Sequence, residues 1–238
     1  MKLLIDGDAL IYPPLTANLV EIEEDNELIY ASVSMPACRA EIYREVNRYC
    51  DLGGSESFVI AFSCPSSECF RKDLFPGYKA NRSGRKPLGF SQLKDWCATE
   101  FPTLTFPKLE ADDILGILQT EPGADTMIVG VDKDFLTIPG TVLSPATGET
   151  IEVSQEEADY NHLLQTLTGD STDGYPGAKG IGPVKAKGIL AGGANWDAVV
   201  HAFGGDEGEA LLQARLSRIL RWTDWDHDRR VPILWKPV

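Results

Sequence analysis

The chain has 238 residues, 43% of them hydrophobic, and a formal net charge of −14. That composition supports a sizeable core, and the length is long for one simple domain and short for two large ones. No apolar run approaches the roughly 18 residues of a membrane span, and Asp6 interrupts the N-terminus too early for the apolar stretch of a secretory signal.

The opening "KLLID" is an apolar run that ends on an acid, which predicts a buried strand delivering the Asp6 carboxylate at its C-terminal end. Helical spacing follows from Met35 to Cys50, and "SFVIAFS" (Ser57 to Ser63) predicts a second buried strand. "FRKDLFPGYKANRSGRKP" is polar and basic and is broken by Pro76 and Gly77, so a short helix and a mobile loop are expected. Phe90 to Glu100 is helical, Thr103 to Phe106 a short strand, and "LEADDILGIL" the start of another helix. "DTMIVGVDKDF" gives a strand with an acidic turn, and "GTVLSP" one more strand. Gln155 to Leu167 is helical, "GDSTDGYPGAKGIG" is an acidic and glycine-rich turn, and "PVKAKGILA" is an apolar helix. The remainder reads as nearly all helix, with its clearest break at Gly204 to Gly208.

Strands therefore alternate with helices, which predicts an α/β fold: a mostly parallel sheet flanked by helices, followed by a helical C-terminal region. Sites in such sheets lie at the carboxyl ends of strands, where Asp6 and Asp132 both fall. Five cysteines with no CxxC pair indicate free thiols rather than a disulfide frame or a zinc site, and three scattered histidines disfavour a His-rich metal centre. The overall acidity argues at first against a nucleic-acid partner. The charge is local, however. Arg71, Lys72, Lys79, Arg82, Arg85 and Lys86 face a single acid, Asp73, and Lys179, Lys185 and Lys187 share a stretch with none.

Four acidic groups recur in similar settings: Asp6 with Asp8; Glu110, Asp112 and Asp113; Asp132 and Asp134; and Asp170 with Asp173. Each alone has a plain explanation as a helix cap, a dipole partner or an Asx turn. Jointly they are harder to dismiss, because carboxylates gathered at one sheet edge repel unless a cation sits among them. Oxygen-only donors select hard cations such as magnesium or manganese, and many carboxylates around hydrated ions suit two-metal phosphodiester chemistry. Asp6, Glu110, Asp112, Asp113, Asp132, Asp134, Asp170 and Asp173 account for more than half of the net charge.

"LLIDGD", "FRKDLFPGYKANR", "LEADDILG", "VGVDKDF" and "LTGDSTDGYPGAKGIGPVKAKGIL" occur in an order that resembles the flap-endonuclease-like 5′-nucleases. That family includes the 5′-nuclease domain of bacterial DNA polymerase I and the small bacteriophage 5′→3′ exonucleases. The resemblance spans roughly Leu3 to Pro237. It implies an α/β nuclease core over 1–153 with a basic arch at about 71–90. A helical subdomain would follow over 154–238, holding a helix–three-turn–helix motif at about 162–191. It implies a 5′→3′ exonuclease or flap-type nuclease that cuts DNA from 5′ ends to give 5′-phosphates, with RNase H-like action on RNA/DNA hybrids. Two magnesium or manganese ions would be held by the eight acids named above, one activating water and the other stabilising the leaving oxygen. Lys79 and Arg82 would contact the reacting phosphate and Tyr78 would stack on a terminal base. The hairpin from Gly177 through Gly180 to Gly182 would grip duplex phosphates through its backbone, with Lys179, Lys185 and Arg71 as further DNA contacts and a potassium ion at the turn. A monomer with no membrane association is implied, in the cytoplasm of a host cell if the source is a phage.

Two departures stand out. Many relatives carry an aspartate just after the second strand, where this chain has "AFSCPSS"; and Asp8 has no family counterpart, although its place two residues past Asp6 lets it share that face. Two other readings fit parts of the pattern. A PIN-like RNase shares the sheet and a smaller acid set, and a non-catalytic DNA-end-binding protein would keep the fold alone.

Overall fold

The computed structural model describes residues 1–24, 27–82 and 86–237. In chain order the main elements begin with β1 (Lys2–Asp6), α1 (Gly7–Ala17), β2 (Leu19–Glu24), β3 (Glu27–Val33), α2 (Met35–Gly53) and β4 (Phe58–Ala61). They continue with α3 (Phe70–Leu74), α4 (Phe90–Glu100), β5 (Thr103–Leu104), α5 (Ala111–Gln119), β6 (Thr126–Val129), β7 (Gly140–Leu143) and β8 (Thr150–Val153). Last come α6 (Gln155–Thr168), α7 (Pro183–Ile189), α8 (Trp196–Ala202), α9 (Glu207–Ser217), β9 (Trp225–Asp226) and β10 (Val231–Pro232).

The central sheet runs in the order β5-β4-β1-β6-β7-β8. All pairings are parallel except that of β7 with β8. β1 is apolar on both faces, and the layers explain why. Leu3 and Ile5 pack with Leu10 and Ile11 of α1, Ile42 of α2 and Leu93 of α4. Leu4, on the opposite face, packs with Ile114 and Leu115 of α5 and with Ile219, Leu220 and Trp225 from the C-terminal segment. A separate cluster of Leu163, Leu167, Ala186, Leu190, Val199 and Ala210 holds α6 to α9 together.

The chain leaves β1 toward β4 and β5, then returns to place β6 on the other side of β1. The carboxyl ends of β1 and β6 therefore form the topological switch point, where open α/β sheets hold their sites. Asp6 ends β1, and Asp132 follows β6 by three residues.

The α/β class and the strands and helices of the first 190 residues are as the sequence predicts, with three additions. α1 begins directly at Gly7 and tolerates Pro13 and Pro14. The β2–β3 hairpin had been passed over, although "LVEIEE" alternates as an exposed strand should. β8 closes the sheet edge. The expectation of a nearly all-helical C-terminal region fails after α9. From Arg218 onward the chain makes only a 3-10 turn at Trp222–Asp224 and the two-residue strands β9 and β10. Arg218 and Arg221 are buried there by ion pairs to Asp224 and Asp159, and Pro232 and Pro237 bar a further helix. The arch expected at 71–90 falls partly outside the described residues, at 83–85, including Arg85.

Candidate metal and phosphate site

Four chain segments bring acids to the switch point. Asp6 caps α1, its Oδ1 accepting from Ala9 N–H at 3.1 Å. Asp8 sits in the first turn of α1, and its Oδ1 is buried with no hydrogen-bond partner. Glu110, Asp112 and Asp113 start α5. Asp132 caps a 3-10 turn by accepting from Asp134 N–H at 2.9 Å, and Asp134 accepts from the Gln165 side chain at 2.9 Å. Asp170 folds its own turn, its Oδ1 accepting from Thr172 N–H at 2.7 Å and Asp173 N–H at 3.2 Å.

These acids divide by electrostatics. One set has internal cations. Lys79 Nζ lies 2.5 Å from Glu110 and 3.5 Å from Asp173, Arg82 lies 2.6 Å from Asp173, and Lys133 lies 3.1 Å from Asp170. Burial pushes Glu110 up, but the Lys79 and Arg71 charges overcome it and hold its carboxyl down at about 2. Asp170 is also lowered: burial opposes, and the Lys133 ammonium and two backbone N–H groups prevail. The other set has no such partner. Burial, then the neighbouring Asp8 and Asp132 charges, pushes Asp6 up to about 7. Burial and Asp6 raise Asp112 well above the carboxylate range, and burial and Asp132 lift Asp134 to about 6. Buried like charges of this kind favour a cation or a proton between them.

Among the described residues, no group of three or more His, Cys, Asp or Glu side chains is arranged to hold a metal as it stands. The donor chemistry nevertheless fits a hard, hydrated cation. Asp6, Asp8, Asp112, Asp132 and Asp134 offer oxygen only, carry unneutralised charge, and include the orphaned Asp8 Oδ1.

Four of the expected site residues are placed otherwise. Asp113 is fully buried and makes a bidentate pair with Arg71, both contacts at 2.7 Å, while accepting from Leu220 N–H and Glu110 N–H. Its lone pairs are spent, so it is a pillar rather than a metal ligand. Arg71 is only 3% exposed and also donates to the carbonyls of Leu216 and Arg218, which leaves nothing to offer DNA. Tyr78 is 2% exposed, and its hydroxyl donates within the pair Glu110 (2.8 Å) and Asp173 (2.9 Å), so it presents no face to a base. Gly177 is buried and donates to the Gln213 side chain at 3.0 Å rather than facing a phosphate.

Gly177 has another task. It packs back to back with Gly169: a Cβ on Gly177 would stand 2.3 Å from Gly169 N, and one on Gly169 would stand 2.4 Å from Pro176 C. Both have positive φ, so glycine is required twice over. This contact fixes the acidic turn to the glycine hairpin. Lys179, Gly180, Gly182 and Lys185 are exposed beyond it, and Lys185 closes the hairpin by donating to Gly180 C=O at 2.9 Å. Gly180 has a φ of 74° and open space where a Cβ would go.

Lys79 and Arg82 lie directly over the acids because "YKANR" is folded onto the Asp170 turn. Lys79 N–H donates to Asp173 C=O at 2.7 Å, and the Asn81 side chain donates to Ser171 C=O at 2.6 Å. Lys79 adopts φ 53°, a left-handed conformation uncommon for a side-chain-bearing residue and held here by these contacts. Ser63 does not replace the absent acid of the second strand: its Oγ accepts from Ala111 N–H at 3.0 Å at the start of α5. Lys133, Gln165, Asn81 and Gln213 had not been singled out. Only Lys133, between Asp132 and Asp134, carried a signal in the sequence.

A parallel sheet with carboxylates at its switch point and a basic strap across them is the layout of an α/β enzyme acting on phosphodiesters. Residues 1–161 match the family described as 5′-3′ exonuclease, N-terminal resolvase-like domain, and the chain belongs to that family. It is 28% identical to the exonuclease of Escherichia phage T7 over 99% of this chain and 93% of that protein. The exodeoxyribonuclease of Enterobacteria phage T3 is 29% identical, over 99% and 92%. Among solved structures, zinc-bound T5 5′-exonuclease has a TM-score of 0.68 at 17% identity, covering 91% of this chain and 89% of that one. Flap endonuclease-1 from Methanococcus jannaschii gives 0.56 at 16%, covering 92% and 78%. At these identities the structures report on the fold.

Proposed function

We propose that the chain is a divalent-metal-dependent 5′→3′ exodeoxyribonuclease that releases 5′-phosphate products. The observation that carries this reading is the meeting of an unneutralised carboxylate set with Lys79 and Arg82 at the switch point. Its phage relatives are named as exonucleases, and a T5 structure is titled as a complex of a flap endonuclease with DNA and metal ions.

Asp6, Asp112, Asp132 and Asp134 would hold magnesium or manganese, with Asp170 and Asp173 as the residues of a second position. Such ions supply an activated water and charge for the leaving oxygen. Asp8 stands in for the carboxylate that the second strand lacks, since its unpartnered Oδ1 is buried beside Asp6. Glu110 and Tyr78 hold Lys79 in place. When a phosphodiester enters, Lys79 and Arg82 turn their charge from the carboxylates to the phosphate oxygens. Fixed charge there is worth several kcal/mol in a water-poor site. α6, the Gly169–Gly182 turn and α7 serve as the helix–three-turn–helix grip, through the exposed Lys179, Gly180, Gly182 and Lys185. A potassium ion at the hairpin, action on RNA/DNA hybrids, a monomeric state, a cytoplasmic location and the division at 153/154 belong to the same proposal.

The test is a product ladder from 5′-labelled blunt duplex DNA with magnesium, set beside a 5′-flap substrate and single-stranded RNA. Labelled mononucleotide or short 5′ products from DNA support the reading. Preference for the RNA supports a PIN-like RNase, and no cleavage of any substrate supports a DNA-end-binding protein.

A further inference from the structure

Two guanidinium groups on the far side of α6 keep donors that nothing in the protein accepts. Arg218 and Arg221 are 6% and 5% exposed, yet Arg218 Nη1 and Arg221 Nε are buried without a hydrogen-bond partner. Their other N–H groups are well used. Arg218 Nε donates to Asp224 at 2.8 Å, and Arg221 donates to Asp159 at 2.7 Å and to Thr137 C=O at 2.9 Å. A buried charged donor left open is costly, so its partner is to be sought in the space it faces.

Both arginines line one cavity of about 380 Å³, enclosed by α6, the chain after α9 and the C-terminal tail. Its walls are aromatic: Trp196, Trp222 and Trp235. Asp159 is its only acid, against the two arginines, and His162 is neutral there because burial and Arg218 push its imidazole down to about 3. The lining therefore carries net positive charge. Burial and the neighbouring Arg218 likewise depress Arg221, to about 10, as expected of two guanidinium groups that share too few anions. None of the carboxylates of the switch point lines this cavity.

We propose that this cavity is a binding site for a nucleoside monophosphate. The indole faces suit a planar base, and the open donors of Arg218 and Arg221 suit a phosphate monoester, which accepts bidentate guanidinium contacts. The volume lies in the range of pockets that enclose small organic ligands. The inference rests on the cavity alone and not on the nuclease reading.

The experiment is calorimetric titration of the full chain with dAMP in EDTA, with deoxyadenosine and inorganic phosphate as separate arms. Ala194→Trp places a ring at the exposed rim without removing a buried group. Lys79→Ala removes the basic contact of the acidic cleft. The expected result is saturable 1:1 binding of dAMP, at least tenfold tighter than deoxyadenosine or phosphate. Ala194→Trp should weaken it at least tenfold with an unchanged thermal midpoint, and Lys79→Ala should leave it unchanged. Absence of saturable binding shows that water alone fills the cavity and overturns the proposal. Binding that survives Ala194→Trp, or that is lost in Lys79→Ala, places the ligand elsewhere and also overturns it.

Discussion

Asp113 and Asp134 look alike in sequence, as acids next to apolar runs, but the structure gives them opposite work. Asp113→Asn would replace a fully buried carboxylate that binds Arg71 twice at 2.7 Å and takes the N–H groups of Leu220 and Glu110. Breaking a buried pair by removing one charge typically costs about 3–5 kcal/mol, since the other charge stays buried. For a chain of this size each kcal/mol moves the midpoint by roughly 2–4 °C, so a fall of about 6–20 °C is expected. Removing both charges with Arg71→Met in the same chain should recover part of that loss. Asp134→Asn instead removes one of several like charges and keeps an acceptor for Gln165, so the metal-free midpoint should not fall. Thermal unfolding in EDTA and calorimetric titration with manganese, below each midpoint, read the two effects separately. The reasoning fails if Asp113→Asn keeps the wild-type midpoint, or loses manganese binding while folded as Asp134→Asn should.

Other outcomes follow from the same geometry. Lys79→Ala should lower single-turnover cleavage far more than duplex affinity; equal losses would mean that Lys79 only binds. Asp8→Asn should weaken manganese binding by about tenfold or more in a titration without substrate, the scale of lost metal-site support, and adding Ser63→Asp should restore part of it; an unchanged isotherm removes Asp8 from the site. Gly180→Val should weaken duplex binding in a gel-shift assay with manganese affinity intact, because φ is 74° and the added side chain projects into open space where DNA would approach. His162 is held neutral, with its folded value near 3 against 6.5 unfolded, so its contribution is complete above pH 6.5 and shrinks as the pH falls toward 3. The stability difference between wild type and His162→Gln should therefore shift against the wild type by about 2 kcal/mol between pH 7 and pH 5. A pH-independent difference, measured by urea unfolding, would show that the imidazole is not so depressed.

The sequence by itself determined the sheet and the location of its chemistry. Apolar runs that end on Asp6 and before Asp132 are legible because a strand buried on both faces has few other ways to satisfy its side chains. The acid-then-glycine turn was legible too, since Gly169 and Gly177 tolerate no side chain. What one dimension did not separate was carboxylates that face a cation from those that face an arginine. Asp113 and Asp112 are adjacent, yet the helix turns them to different sides, one onto Arg71 and the other toward Asp6. The fates of Tyr78 and Arg71 were hidden for the same reason, as their partners lie 32 to 147 positions away in the chain. Only the tertiary packing decides which charges are already answered, because burial and long-range partners, not residue type, set whether a buried group is spent or still open.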